Sequence, residues 1–304
     1  MSELTTNHDQ VAQESSLIQD FLVLAKPRIS VMVLLTVAVA GIVSLPIAAA
    51  NSPGLMLVHA MIGLFFVSAS GCAWNQYLER YVDWLMPRTA KRPLPGQRLS
   101  ALQVAVFGAV TLGIGIAWLV ALVNWQSAAI AMINWVFYVC LYTPLKVRTW
   151  LNTYVGAVAG ALPVLIGSTA ICNGAISVGA WTLFAVIFVW QFPHFMAIAW
   201  LYRRDYQLAQ VKMATTVDDT GRLAGRHAIF FAAALVPIVA AAAWPSSMLG
   251  VVFQLVVIAL SVWYLWASIQ FANNVCEASS RKLFRVSLLY LPAYLVGLSI
   301  VALV

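Results

Sequence analysis

Nine stretches of the chain are almost continuously apolar, near residues 29–49, 55–76, 100–123, 127–143, 152–172, 179–199, 227–244, 248–270 and 286–303. Each approaches the roughly 20 residues that an α-helix needs to cross a hydrocarbon layer. At this density of spans only helices satisfy their own backbone, since closed barrels show weaker, alternating segments. The pattern predicts an all-α, polytopic membrane protein of about nine transmembrane helices, with the lipid bilayer as its principal solvent.

The polar positions between these stretches are sorted by sign. All 17 Lys and Arg residues lie either in the N-terminal approach (Lys26, Arg28) or in every second loop: Arg80 to Arg98, Lys146 and Arg148, Arg203 to Arg226, and Arg281 to Arg285. The ten carboxylates share that side, while Asn51-Ser52-Pro53-Gly54, Asn124-Trp125-Gln126-Ser127 and Trp244-Pro245-Ser246-Ser247 carry no charge. The positive-inside rule puts the charged face and the N-terminus in the cytoplasm, and the C-terminus outside. Residues 1–24 read as a mobile polar tail, because Glu3, Asp9, Glu14 and Asp20 are the opposite of a basic leader. Residues 25–304 then form a single transmembrane domain.

Composition narrows the choice further. The chain is 62% hydrophobic and only 9% charged, too apolar for the surface of a soluble domain. Its net charge of +7 is spent on loop topology, which argues against a nucleic-acid partner. Cys72, Cys140, Cys172 and Cys276 show no spacing suited to zinc and read as small buried residues.

Topology does not explain why carboxylates gather where spans 2 and 6 end. After span 2, Asn75, Glu79 and Asp83 are spaced i, i+4, i+8, so a helix continuing this far puts three oxygen donors on one face. Such a set suits Mg²⁺, which commonly uses one or two carboxylates plus substrate phosphates. Arg88, Lys91 and Arg92 follow at once, and guanidinium forks match phosphate oxygens. On spacing alone the same residues also suit a solvated interfacial loop with incidental ion pairs.

The continuation Met86-Pro87-Arg88-Thr89-Ala90-Lys91-Arg92-Pro93-Leu94-Pro95 makes the segment more specific. With Asn75, Glu79 and Asp83 it resembles the first signature of the UbiA superfamily of intramembrane prenyltransferases, and in detail its haem O synthase branch. Lys26-Pro27-Arg28-Ile29, Tyr142-Thr143-Pro144-Leu145-Lys146-Val147-Arg148-Thr149, Trp190-Gln191-Phe192-Pro193-His194-Phe195 and Ser280-Arg281-Lys282-Leu283-Phe284-Arg285 extend the likeness over about residues 24–300. Two positions depart from it: Tyr81 replaces the branch's usual third acid, and Glu79 stands where many members have Asp. The second motif is also thin, with Asp205 as its clear acid and Ala209 four residues later, leaving Asp218 and Asp219 as further acids in a long loop.

The resemblance implies a reaction of farnesyl diphosphate with haem B, a substrate rather than a prosthetic group, to give haem O and diphosphate. It implies Mg²⁺ held by Asn75, Glu79, Asp83 and Asp205, with Arg88, Arg92 and Lys146 stabilising the leaving group. Tyr142, Arg148, Arg203 and His194 are expected at the substrates, His194 on the haem iron or a propionate; a helix-capping histidine is the plainer reading. Tyr77, Tyr81, Tyr142 and Trp190 are candidates to face an allylic cation. Haem A synthase or other oxidase assembly proteins are the partners it implies. The paired Trp74-Asn75 and Trp190-Gln191 hint at two tandem four-helix halves plus a ninth helix. A prenyltransferase for an aromatic acid or a chlorophyllide would share the diphosphate chemistry. A secondary transporter fits less well, because no Asp, Glu, Lys or Arg falls in mid-span.

Overall fold

The computed structural model describes residues 16–242 and 247–304, and among them there are helices but no strand. The first element, α1 (Leu17–Ala25), opens with a capping box in which Ser16 and Gln19 satisfy each other's backbone donors. It occupies part of the stretch expected to be a mobile tail. Asp20 is buried and takes Arg98 Nε at 2.9 Å, Phe21 packs on Phe107, and Leu24 joins a small core with Leu94, Leu99 and Val104. Residues 1–15 of that expected tail lie outside the described residues.

The remaining elements are α2 (Pro27–Ser44), α3 (Pro53–Leu78), α4 (Arg80–Leu85), α5 (Ala101–Leu122), α6 (Trp125–Trp135), α7 (Thr143–Leu145), α8 (Asn152–Ala161), α9 (Pro163–Ile171), α10 (Val178–Leu201), α11 (Arg203–Leu208), α12 (Ala214–Val217), α13 (Arg222–Ala241), α14 (Met248–Asn273) and α15 (Glu277–Leu303). A π-helical stretch, Val136–Tyr142, joins α6 to α7, and α8 runs into α9 across Leu162-Pro163. Nine helical segments among the described residues are long and apolar enough to cross a membrane, in the places the apolar pattern predicts. The last begins earlier than expected. Arg281, Lys282 and Arg285 therefore ride on the first turns of α15, where Arg281 pairs with Glu277 and Lys282 lies over the Trp266 ring.

Neighbouring spans close into a ring: α2 touches α3, α3 touches α5, α5 touches α6, and so on through α10, α13, α14 and α15 back to α2. The spans Asn152–Ile171 and Val178–Leu201 sit innermost, 72% and 61% buried, whereas no other span exceeds 44%. Small residues allow this. A Cβ on Gly167 would stand 2.1 Å from Val37 O, so α9 and α2 meet backbone to backbone. At the uncharged end, Ser44 Oγ lies 3.0 Å from Ser168 Oγ and 2.7 Å from Ser177 Oγ, a hydroxyl staple across three spans. At the charged end the loops after α4 and α11 close on each other through Met86, Ala209 and Val211.

Candidate active site

A cavity of about 390 Å³ opens among α2, α3, α4, the π stretch, α8 and α10, beneath those two loops. Its deeper walls are apolar, with Ile29, Val33, Val67, Pro163 and Phe195, while its mouth carries Asn75, Glu79, Asp83, Arg88, Arg92 and Lys146. The first three reach it although α3 ends at Leu78. Glu79 N still donates to Asn75 O (2.9 Å) and Asp83 N to Glu79 O (2.7 Å), so the i, i+4, i+8 face survives the joint.

Every acid or amide of the expected metal set already has a basic partner. Lys146 Nζ is 2.7 Å from Glu79 Oε1, Arg92 Nη1 is 2.6 Å from Asp83 Oδ2, and Lys26 Nζ is 3.3 Å from Asn75 Oδ1. Burial raises Asp83, and Arg92 offsets only part of that, so its carboxyl sits above the usual carboxylate range. Burial alone would lower Lys146; Glu79, Tyr142 and Tyr138 together outweigh it and raise the amine. Burial, with Arg92 and Lys146 nearby, outweighs the help Lys26 has from Cys72 and Glu79 and holds its amine below the ordinary lysine value.

The residues fit a hard cation completed by a phosphate ligand. Asp83 Oδ1 is buried without a hydrogen-bond partner. Among the described residues no three His, Cys, Asp or Glu side chains are grouped closely enough to hold a metal by themselves. One or two carboxylates plus substrate oxygens is the usual arrangement for Mg²⁺.

Other expected residues fall elsewhere. Asp205 does not line the cavity; it meets Arg88 Nε at 3.7 Å and so reaches the mouth through that guanidinium. Arg148, two residues past Lys146, is exposed, and Arg203 lies over Trp200 at 4.1 Å, so neither is brought to the cavity. Asp218 caps the first turn of α13, accepting from Leu223 N (2.6 Å) and Thr220 N (3.0 Å), which holds its carboxyl below the usual range. Tyr81 is 73% exposed, so the position of the missing third acid points away from the cavity. Of the four candidate aromatics only Tyr142 lines it. His194 lies well inside α10 and caps nothing; it sits beside the cavity rather than in its wall.

Three features escaped sequence reasoning. Lys26 turns into the mouth because its backbone is left-handed (φ 48°) between α1 and α2. Its position before Pro27 was the available signal. Tyr138 joins Tyr142 on the cavity wall, their rings 5.8 Å apart and nearly parallel, because the π turn brings both residues to the same side. Gln191 Nε2 donates to Ala157 O (3.0 Å) and Ile187 O (3.1 Å), a buried amide that only Gly160 leaves room for.

An apolar cavity within a membrane bundle, entered through a cluster of cations interleaved with carboxylates, defines an intramembrane enzyme for an amphipathic anion. The chain belongs to the UbiA prenyltransferase family, whose model matches residues 33–289. It is 40% identical over 291 residues to a protein named protoheme IX farnesyltransferase from Rhodopirellula baltica, covering 91% of this chain and 98% of that one. It is 36% identical to the protein of that name from Solibacter usitatus, covering 90% and 95%. Among solved structures, digeranylgeranylglyceryl phosphate synthase superposes with a TM-score of 0.73 at 16% identity, over 94% of this chain and 98% of that one. A UbiA homolog from Archaeoglobus fulgidus bound to GPP and Mg²⁺ gives 0.66 at 16% identity, over 92% and 99%. These two share the fold.

Proposed function

We propose that this chain transfers the farnesyl group of farnesyl diphosphate to a vinyl side chain of haem B, giving haem O and diphosphate. The observation that carries the diphosphate half is the mouth itself, where Lys26, Arg88, Arg92 and Lys146 converge with Asn75, Glu79 and Asp83 above an apolar cavity. The acceptor half is supported by the near-full-length likeness to proteins named for protohaem farnesylation.

The four cations hold the diphosphate oxygens, the arginines as forks and the lysines as point charges. Asn75, Glu79 and Asp83 would hold Mg²⁺, with Asp205 fixing Arg88 from the facing loop. That ion, when bound, supplies Lewis acidity and a template for the leaving group. As the C1–O bond breaks, its electron pair leaves with the diphosphate, and Arg88, Arg92 and Lys146 stabilise the charge that grows there. The Tyr138 and Tyr142 rings face the allylic cation, and the wall of Ile29, Val33, Val67 and Phe195 keeps water from it. The vinyl π pair forms the new C–C bond, and water adds to the neighbouring cationic carbon and gives up a proton to leave a hydroxyl. In this reading the chain sits in the cell inner membrane with its charged loops facing the cytoplasm, an orientation supported by the positive-inside bias of those loops.

Purified protein is incubated with farnesyl diphosphate, Mg²⁺ and either haem B or 4-hydroxybenzoate, and products are read by mass spectrometry. Farnesylated haem is expected; prenylation of the benzoate alone would reject the acceptor assignment.

A further inference from the structure

On the flank of α10, next to the cavity, stands a histidine whose surroundings the diphosphate site does not explain. His194 follows Gln191 by three residues and precedes Phe195, both of which line the cavity. On a helix this places it about 60° around from Gln191. The imidazole packs against two aromatic rings, Trp190 (centroids 4.9 Å, 24° between planes) and Phe284 of α15 (5.2 Å, 30°).

Its hydrogen bonding favours one tautomer. Nδ1 lies 2.7 Å from Ser287 Oγ, and Ser287 Oγ is 2.6 Å from Phe284 O, a carbonyl placed to take the hydroxyl proton. With the proton there the serine accepts from the ring, which puts the imidazole proton on Nδ1 and leaves the lone pair on Nε2. Among the described residues no hydrogen bond is made to Nε2. Ser287 is pinned in turn: its carbonyl accepts from Trp190 Nε1 at 3.1 Å, and Trp190 O accepts from Tyr264 Oη at 3.0 Å. A half-buried ring packed by two aromatics, with one nitrogen committed and the other without a hydrogen bond among the described residues, is built as a metal ligand is built.

We propose that Ser287 is a positioning residue for the acceptor, holding His194 in the Nδ1–H tautomer so that Nε2 takes the iron of haem B. This rests on the haem reading above. Phe195, the next residue, lines the cavity, so a porphyrin held at His194 borders the space that receives the isoprenoid.

The test uses the full chain in detergent as wild type, Ser287→Ala, Ser287→Thr and His194→Ala. Each is titrated with ferrous and ferric haem B by visible absorption, and KM is measured for both substrates. Loss of such a supporting hydrogen bond weakens metal binding by about 10- to 100-fold. Ser287→Ala should show that loss for haem B with KM for farnesyl diphosphate unchanged. Ser287→Thr, which keeps the hydroxyl, should restore it, and His194→Ala should abolish the iron-ligand bands. Wild-type haem affinity and spectrum in Ser287→Ala, or unchanged bands in His194→Ala, would overturn the proposal while leaving farnesyl transfer intact. A wild type that makes no farnesylated haem would overturn the underlying function instead.

Discussion

Replacing Lys146 with Met tests how the mouth is held together. Its Nζ lies 2.7 Å from Glu79 Oε1, with the two side chains 19% and 11% exposed. At an effective dielectric near 20, unit charges at that separation attract by about 6 kcal/mol. Desolvation of both groups offsets much of this, so the variant reads the penalty of leaving Glu79 alone. Removing one partner of a buried pair costs roughly 3–5 kcal/mol, and partial exposure puts this one near the lower end, about 3 kcal/mol. The pH window follows from the raised amine. Its contribution is complete below the unfolded value of 10.5 and is lost only as pH climbs through the higher folded one, so the pair is intact at neutral pH. Unfolding free energies in detergent should be compared for wild type, Lys146→Met, Glu79→Gln and the double variant. The double variant should recover most of the loss, because no lone charge remains, yet turnover should stay low in all three. A double variant as unstable as the sum of the singles would refute the pairing, and an unchanged Lys146→Met would remove it altogether.

Four other outcomes are expected. Asp83→Asn should cut turnover at least about 100-fold and, by leaving Arg92 without its carboxylate, lower stability too, though by less than Lys146→Met because burial already disfavours the charged Asp83; the comparison is initial rate against unfolding free energy. Asp218→Ala should instead cost about 1 kcal/mol as a lost helix cap and leave turnover near normal. Its carboxyl titrates below the ordinary 3.8, so its stabilisation is present above that value and fades as pH falls through the folded one, which acid unfolding of both proteins will read. Gly167→Ala should destabilise by roughly 1–3 kcal/mol, since its Cβ would meet Val37 O at 2.1 Å, whereas Gly113→Ala, with nothing within 4 Å, should be neutral or slightly stabilising. Mn²⁺ binding read by electron paramagnetic resonance should tighten at least about 100-fold when pyrophosphate is added, and equal affinity with and without it would break the link between metal and anion.

The spans and the charged side were legible because lipid imposes one rule on every residue of a span, and that rule is local. Asn75, Glu79 and Asp83 were legible for a similar reason: helical spacing alone puts them on one face, and the joint at Glu79 does not interrupt it. What stayed hidden depends on direction. Lys146 and Arg148 are alike in sequence, but one turn of loop points the first at Glu79 and the second at solvent. Tyr138 becomes a wall residue only through a π turn that no apolar pattern encodes. The helix Leu17–Ala25 hides in a tail with acidic residues, because its stability comes from Asp20 meeting Arg98, 78 positions away.

The charge count at the mouth explains why so many ionic groups are tolerated at the edge of an apolar cavity. Lys26, Arg88, Arg92 and Lys146 face Glu79, Asp83 and Asp205, leaving one excess positive charge. A fully ionised prenyl diphosphate brings about three negative charges, so entering alone it would leave a net anion in a weakly solvated place. Entering with a divalent cation it brings the single negative charge that the mouth can neutralise. Glu79 and Asp83 would then be free to hold that cation while Lys146 and Arg92 hold phosphate oxygens, with Arg88 kept in place by Asp205. Asn75 fits the same scheme, since its Oδ1 is held by Lys26 and its Nδ2 by Thr143, so the amide stays oriented when the lysine moves to the substrate.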